Sequence, residues 1–382
     1  MSEFWFISVP AERNNNKKFE EISSSLSKLD ISRQSIFKIP ELKVGTLDVL
    51  IGLADELQKL DTYAESISRK IAHYMGEVLE EQKSKLLDNL QANSQSPANF
   101  MLNFKWDAAK YPIKQSLRTL YDILAEQISK IDNDLKTKST AYNMIKGNLT
   151  NLEKKQTGSL MTRSLQDLVK REHFVLSSEM LATLLVVVPK HLYGEWKNKY
   201  ETLVKMVVPR SSDLIFEDQD YGLWNVTVFQ ILVEDFKNRC REHKFHVRDF
   251  VYDERKIEES KNELSKLEND KKKQFIPLFR WLKVNFGESF SALVHVKAVR
   301  VFVESVLRYG LPIDFCSFII QPQKKHANKL KVNLGQMFSH LDTVGDNNPD
   351  DELNNVSMGI PSISEYYPYV FFKVDLANIE NV

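Results

Sequence analysis

The sequence predicts an α+β protein, helix-rich and elongated, with a globular foot made of both chain ends, a neck of long antiparallel helices and an inserted α/β head. Three observations carry that prediction. First, Leu117, Leu120, Leu124, Ile128, Ile131 and Leu135 recur at steps of three and four. The pattern extends from Ile113 to Leu152 in a background of Lys, Asp, Glu, Ser and Asn. So narrow an apolar stripe is a seam for another helix, not the broad face of a globular core helix. Second, a return segment, Ile257, Leu264, Leu267, Phe275, Leu278 and Leu282, repeats the spacing much later. Third, the period between them changes to that of short strands, so a domain is held between an outgoing and a returning helix.

Taken in order, residues 4–9 read as a strand stopped by Pro10. A polar stretch follows, with asparagines at 14–16 and serines at 23–25, mixing a helix with loose connections. Residues 47–60 make an amphipathic helix, and 64–90 continue it. Phe100, Leu102, Phe104 and Trp106 alternate with Met101, Asn103 and Lys105, which predicts a strand. Pro112 suits the first turn of the seam helix, where a missing N–H costs nothing. That helix runs to Lys155 with Gly158 as its stop, on the order of 65 Å at about 1.5 Å per residue. Gly147 is its weak point.

Strands are predicted at 184–188, 205–208, 224–229 and 245–251, with helical patches at 195–203 and 231–241. This alternation indicates a small α/β-type domain. The return helix follows from Glu254, and Pro277 is expected to kink it or start a new one. Residues 290–309 are strongly amphipathic and end at Gly310, Leu311 and Pro312. A helix at 324–341, a polar mobile loop at 343–364 and a strand at 366–375 complete the chain. The resulting division is foot 1–111, neck helix 112–158, head 159–253, return helix 254–285 and foot 286–382. Antiparallel neck helices bring both termini to one end, so the first and last strands are expected in one sheet.

Composition narrows function. Lys plus Arg equals Asp plus Glu, at 52 each, so no net field recruits nucleic acid or an acidic membrane. Cys240 and Cys316 are the only cysteines, which offers no disulfide framework and fits a reducing compartment. The opening run MSEFWFISVPAER has an acid at Glu3 and is not a signal peptide. No run approaches the roughly twenty apolar residues that span a bilayer. A cytoplasmic protein without direct membrane insertion is expected, held at any membrane by its partners.

The chemical motifs are few. Cys240, His243, His246 and Asp249 invite a zinc reading, but their spacing lacks the tight pair plus distant pair of structural sites. No phosphate loop, dinucleotide fingerprint or nucleophile elbow is present. Lys43, Val44, Gly45 and Thr46 precede a helix, where capping by Thr46 or Asp48 is the expected role. Lys271 to Lys273 precede Phe275, Phe279, Trp281 and Phe286. This arrangement reads either as a basic, aromatic surface for an acidic partner or lipid headgroups, or as a solvated turn followed by a core stripe. No catalytic, cofactor-binding or metal residue is nominated, and no cofactor is implied.

Several segments resemble one family in order along nearly the whole chain. They are KVGTLDVLIGLADELQKLD (43–61), AKYPIKQSL (109–117), AYNMIKGNLTNLEKKQTGSL (141–160), MVVPRSS (206–212), DKKKQFIPLFRWLKVNF (270–286), HVKAVRVFVESVLRYGLP (295–312) and EYYPYVFFKVD (365–375). The resemblance is to the C-subunit family of the eukaryotic vacuolar-type proton-translocating ATPase (V-ATPase). Residues 12–35 and 323–364 carry little of it. The resemblance implies a non-catalytic stator component with foot, neck and head. Its head would grip a peripheral stalk built from the E and G subunits. Its foot would bind another such stalk and the cytosolic N-terminal domain of the membrane sector's a-subunit. The resemblance further implies a role in reversible joining of the soluble and membrane sectors, on the cytosolic face of vacuolar, endosomal or other acidifying membranes. Actin and nucleotide binding are also associated with relatives, and no motif here assigns either. The rival reading is a free-standing cytoskeletal or vesicle scaffold.

Overall fold

Strand β1 (Glu3–Pro10) is buried at every position from Phe4 to Val9, which requires cover on both faces and both edges. The computed structural model, which describes residues 3–11, 14–80, 85–176, 178–323, 326–341 and 367–380, shows how this is met. β1 lies between β7 (Phe315–Pro322) and β8 (Val370–Asp375), antiparallel to each. Beyond β7, β2 (Ser32–Ile36) forms the far edge of the four-stranded sheet. Register places Ile7 opposite Phe318 on one side and Phe371 on the other. The expected meeting of the first and last strands in one sheet is therefore observed.

One face of this sheet presents Trp5, Ile7, Val9, Phe318 and Ile320. It is covered by Ile22 and Leu26 of α1 (Asn15–Ser27) and by Leu330 and Leu334 of α9 (Ala327–Met337). Asn14 starts α1 by accepting the Lys17 N–H at 3.0 Å on its side-chain oxygen. On the other face, Ser305 of α8 (Glu254–Tyr309) donates to Ser8 Oγ at 2.8 Å, and the Tyr309 hydroxyl donates to the Ser8 carbonyl at 2.7 Å. Gly310, at φ +78°, ends α8 where the sequence predicts a stop.

These elements belong to a compact unit formed by Met1–Ser139 and Ile276–Val382. Its helical layer also contains α2 (Leu47–Leu79), α3 (Leu86–Asn89), α4 (Pro97–Leu102) and the first half of α5 (Leu117–Thr157). Leu50, Leu53, Leu57, Leu60, Ala64 and Ile67 give α2 its buried stripe. Ser68 meets Ser289 of α8 at 3.2 Å, and Tyr63 donates to Asp132 of α5 at 3.0 Å. Leu117, Leu120, Leu124, Ile128, Ile131 and Leu135 are all buried, as the repeat requires.

Local expectations fail in whole or in part at four places, for identifiable reasons. Residues 100–106 are not a strand: Ser96 accepts the Asn99 N–H and Pro97 takes the first helical position, so α4 forms instead. Phe100 and Phe104 are four apart, a spacing that serves a strand face and a helix face alike. Pro112 does not start α5, because Ser116 accepts the Thr119 N–H at 3.2 Å and caps the helix later. Of the two outcomes expected at Pro277, a new helix is not seen, since α8 runs through it. The helix continues with one carbonyl deprived of its donor, while Leu278, Leu282 and Phe286 beyond it are buried. Thr46 sits at the N-cap of α2 but makes no side-chain capping bond; Asp48 in the first turn complements the helix dipole. The loop predicted at 343–364 lies outside the described residues.

The second unit is Thr140–Phe275. Its sheet runs β4 (Leu214–Glu217), β5 (Tyr221–Phe229), β3 (Leu181–Pro189), β6 (His246–Arg248), all neighbours antiparallel. Residues 205–208, predicted as a strand, contribute only an isolated bridge from Val207 to Val228. An internal repeat that periodicity alone does not disclose organises this unit. β3 and β5 are offset by 40 positions at both ends (181 to 221, 189 to 229), and each leads into a 3-10 turn at the same offset (Lys190–Leu192, Gln230–Leu232). Helices α6 (Tyr193–Lys199) and α7 (Val233–Glu242) then follow. Leu185 faces Asn225, its own counterpart, so a local dyad passes through that pair. Trp196 and Phe236, also counterparts, are fully buried in one core with Val186, Val188, Val226 and Val228. The opposite face buries Leu160, Leu165, Val169, Leu185, Val187 and Leu223.

The dyad is broken at Gly222, where a Cβ would lie 2.0 Å from the Tyr193 hydroxyl oxygen. Gly222→Ala must push that ring out of place and is expected to destabilise the protein by about 1–3 kcal/mol, read as a lower thermal midpoint. An unchanged midpoint would show that Tyr193 yields without cost.

Candidate functional site

The sequence nominates no catalytic constellation, and the structure directs attention to two buried polar clusters in the Met1–Ser139/Ile276–Val382 unit. In the first, Asp61 of α2 receives Lys297 Nζ at 2.8 Å and an Arg300 guanidinium nitrogen at 2.6 Å, both on Oδ2. Asp61 and Lys297 side chains are each 4% exposed. Lys297 also donates to the Lys373 carbonyl of β8 at 3.2 Å, and Arg300 stacks 4.1 Å from the centre of the Phe372 ring. One carboxylate thus holds two cations, and the cations hold the last strand. Nearer the start of β8, Arg308 donates to the Tyr367 carbonyl, and Val370 N–H donates to the Tyr309 hydroxyl. Among the described residues, Asp61 Oδ1 and Arg300 Nε have no hydrogen-bond partner.

The second cluster surrounds His295. Its Nε2 accepts the Asp107 backbone N–H at 3.0 Å, so Nδ1 carries the proton and donates to the Ser291 carbonyl at 2.7 Å. Tyr111, Trp106 and Phe104 rings stand 4.5, 5.0 and 5.0 Å away, centre to centre. Burial in this aromatic box drives the imidazole pKa down to about 4. Tyr111 continues the network by donating to Gln127 at 2.7 Å. Glu288, which Lys110 holds at 2.6 Å, accepts from the Gln127 amide at 3.3 Å. These groups are fully engaged with one another, a pattern of structural ties rather than a poised acid–base pair.

The zinc candidates do not converge. Cys240 is fully buried in the core beneath α7, and burial raises its thiol pKa to about 12. His243 Nδ1 lies 3.2 Å from Glu195, Asp249 pairs with Lys237 at 3.0 Å, and His246 is exposed. Among the described residues no group of His, Cys, Asp and Glu could hold a metal ion, and no helix is long and apolar enough to cross a membrane. A cleft lined by Trp5, Tyr367, Phe371, Lys331, Glu3 and Lys373 has aromatic walls, but its one carboxylate already takes Lys373 at 2.7 Å.

Neither cluster is apparent from the sequence, although signals for the first exist there. Lys297 and Arg300 interrupt an almost wholly apolar run, and Asp61 sits one residue after Leu60 of the α2 stripe.

The chain is a mixed helix-and-sheet protein with two antiparallel sheets, and its buried charges tie distant elements of one sheet-bearing unit together. Sequence relationships give the particular family. The family profile described as the C subunit of V-ATPase matches residues 4–370. The V-type proton ATPase C subunit of Manduca sexta is 51% identical over 382 residues, covering 100% of this chain and 99% of that protein. The Danio rerio C subunit designated 1-A is 51% identical over 380 residues, 98% of each chain. The Bos taurus C subunit designated 1 is 51% identical over 385 residues, 100% of each. The chain belongs to the V-ATPase C-subunit family.

Two outcomes test the clusters. Asp61→Asn leaves Lys297 and Arg300 buried without a counter-charge and is expected to cost about 3–5 kcal/mol in urea unfolding; a loss below ~1 kcal/mol would show that water already reaches the pair. For His295, the unfolded imidazole protonates near pH 6.5, whereas the folded one resists to about 4. The unfolded state therefore binds more protons in that window, and stability falls as pH drops through it, by on the order of 3 kcal/mol in total. His295→Gln should remove that component from the pH dependence of the urea midpoint.

Proposed function

We propose that the chain is a non-catalytic stator component of a V-type proton ATPase. The observation that carries this reading is end-to-end identity of about half its residues with proteins named as the C subunit of that enzyme. Following the resemblance, the head (159–253) takes a peripheral stalk built from the E and G subunits. The foot (1–111 and 286–382) takes another stalk and the cytosolic domain of the membrane sector's a-subunit, and the neck helices (112–158 and 254–285) set their separation. The protein then sits in the cytoplasm, peripheral to acidifying membranes, and supports ATP-driven proton transport.

The physical task is to carry torque. A rotary shaft turns only against a fixed collar, and the collar must transmit the reaction force. Several modest interfaces on one stiff body hold by avidity, yet release together when one weakens, which suits reversible assembly. Two features of the chain are in keeping with this reading. Helices α5 and α8 are continuous, and each contributes residues to both compact units. Both chain ends are also locked into one sheet.

The test is reconstitution with the full chain. Soluble sector lacking this protein is mixed with membrane sector carrying the a-subunit, and acidification of vesicles is followed on adding ATP. Restored proton pumping and co-sedimentation with the E, G and a-subunits are expected. A folded chain that restores neither, and sediments with actin filaments alone, would favour the free-standing scaffold.

A further inference from the structure

The run from Lys271 to Gly287 contains five basic residues and no acidic one; the flanking carboxylates are Asp270 and Glu288. The part of it from Ile276 onward lies on α8 within the Met1–Ser139/Ile276–Val382 unit. Pro277, Trp281 and Val284 fall at i, i+4 and i+7 and share one stripe, while Ile276, Arg280 and Lys283 form the stripe beside it. Leu278, Leu282 and Phe286 point the other way and are buried. Ile276 and Val284 are 55% and 63% exposed. Pro277, Arg280 and Lys283 are exposed as well, and half-buried Trp281 carries Lys138 Nζ of α5 at 5.8 Å from its ring centre.

Several other cations of α5 and the segment before it are paired. Lys136 pairs with Asp132, Lys110 with Glu288 and Arg118 with Glu56, each within 2.7 Å. Among the described residues, Arg280, Lys283 and Lys138 make no ion pair. Three uncompensated cations thus surround two exposed aliphatic side chains and an indole on the outer side of a helix.

We propose that this face binds the headgroup layer of an anionic bilayer. Lipid phosphates and carboxylates supply the missing counter-charges for Arg280, Lys283 and Lys138. Ile276 and Val284 enter the boundary between headgroup and acyl chain, and Trp281 lies at the level where indoles are favoured. A bilayer surface meets both demands at once, charge and apolar cover, without a complementary groove. The contact is peripheral and reversible, because two aliphatic side chains bury too little area for a stable anchor. It stands independently of the assembly role.

The experiment is flotation of the full chain with vesicles of phosphatidylcholine alone or with phosphatidylserine added, at low and physiological salt. The wild type is expected to float with the anionic vesicles only, and less at higher salt. Arg280→Glu with Lys283→Glu should lower the bound fraction at least about tenfold. Ile276→Ser with Val284→Ser should weaken binding while leaving its salt dependence intact. Circular dichroism and thermal midpoints, unchanged for substitutions at exposed positions, exclude unfolding as the cause. Wild-type protein that stays with the soluble fraction at low salt overturns the proposal, as does a charge-reversed variant that floats equally well. Charge-dependent retention by an acidic protein in place of vesicles also overturns it and assigns the face to a protein partner.

Discussion

The first unit depends on one constraint: β1 has no exposed face or edge of its own and can exist only between strands supplied by the C-terminal part of the chain. Cys316 and Val370 flank Val9 and Ser8 from opposite sides. Closing so large a loop costs entropy that local contacts do not repay, so the sheet forms only when cover arrives on both faces together. α8 provides much of that cover. It also carries Lys297 and Arg300, whose shared carboxylate comes from α2 and whose other contacts hold β8. Three distant stretches of chain are therefore cross-linked at one buried charge. Such a cluster adds little net stability over apolar packing, but it penalises every arrangement that separates its members.

The second unit solves its packing differently. Two copies of a strand, turn and helix meet across a local dyad, and the equivalent bulky residues Trp196 and Phe236 fill one core from both sides. Its contacts lie close in sequence compared with those that close the first sheet. The seam of α5 continues into this unit through buried Tyr142 and Leu149. On the returning helix, Ile257 is buried while Leu264 and Leu267 are only half covered.

Much of this was legible in the sequence, and the limits have physical causes. Long periodic helices announced themselves because every third or fourth side chain must be buried, and the seam residues from Leu117 to Leu135 are. The shared sheet of the two ends followed from chain order alone. β7 (FCSFIIQP) received no element, since a short apolar run carries no period of its own. β2 and β4, with five and four residues, are edge strands too short to show a period, and β2 (SRQSI) is mostly polar. The α4 segment misled because spacing by four satisfies both periods, and capping decided between them. The 40-residue repeat is hard to see because few residues recur unchanged: Val186 answers Val226 and Lys197 answers Lys237, but Trp196 answers Phe236 and Tyr200 answers Cys240. The ion cluster was visible only as charges misplaced in apolar runs, since no local rule names a partner more than two hundred residues away.

The placement of β1 far ahead of both its partners in chain order also sets the sequence in which a ribosome can complete the first sheet. The segment FWFISV emerges ahead of its partners and finds its second neighbour, β8, only after every other described strand has been made. Throughout that interval it is an uncharged, β-prone hexapeptide with bare edges, the kind of segment that seeds aggregation. The interior unit, by contrast, has all of its strands in hand before α8 is finished. The nascent chain should therefore carry a folded interior unit alongside an unsheltered β1, so that segment is where a chaperone is most needed.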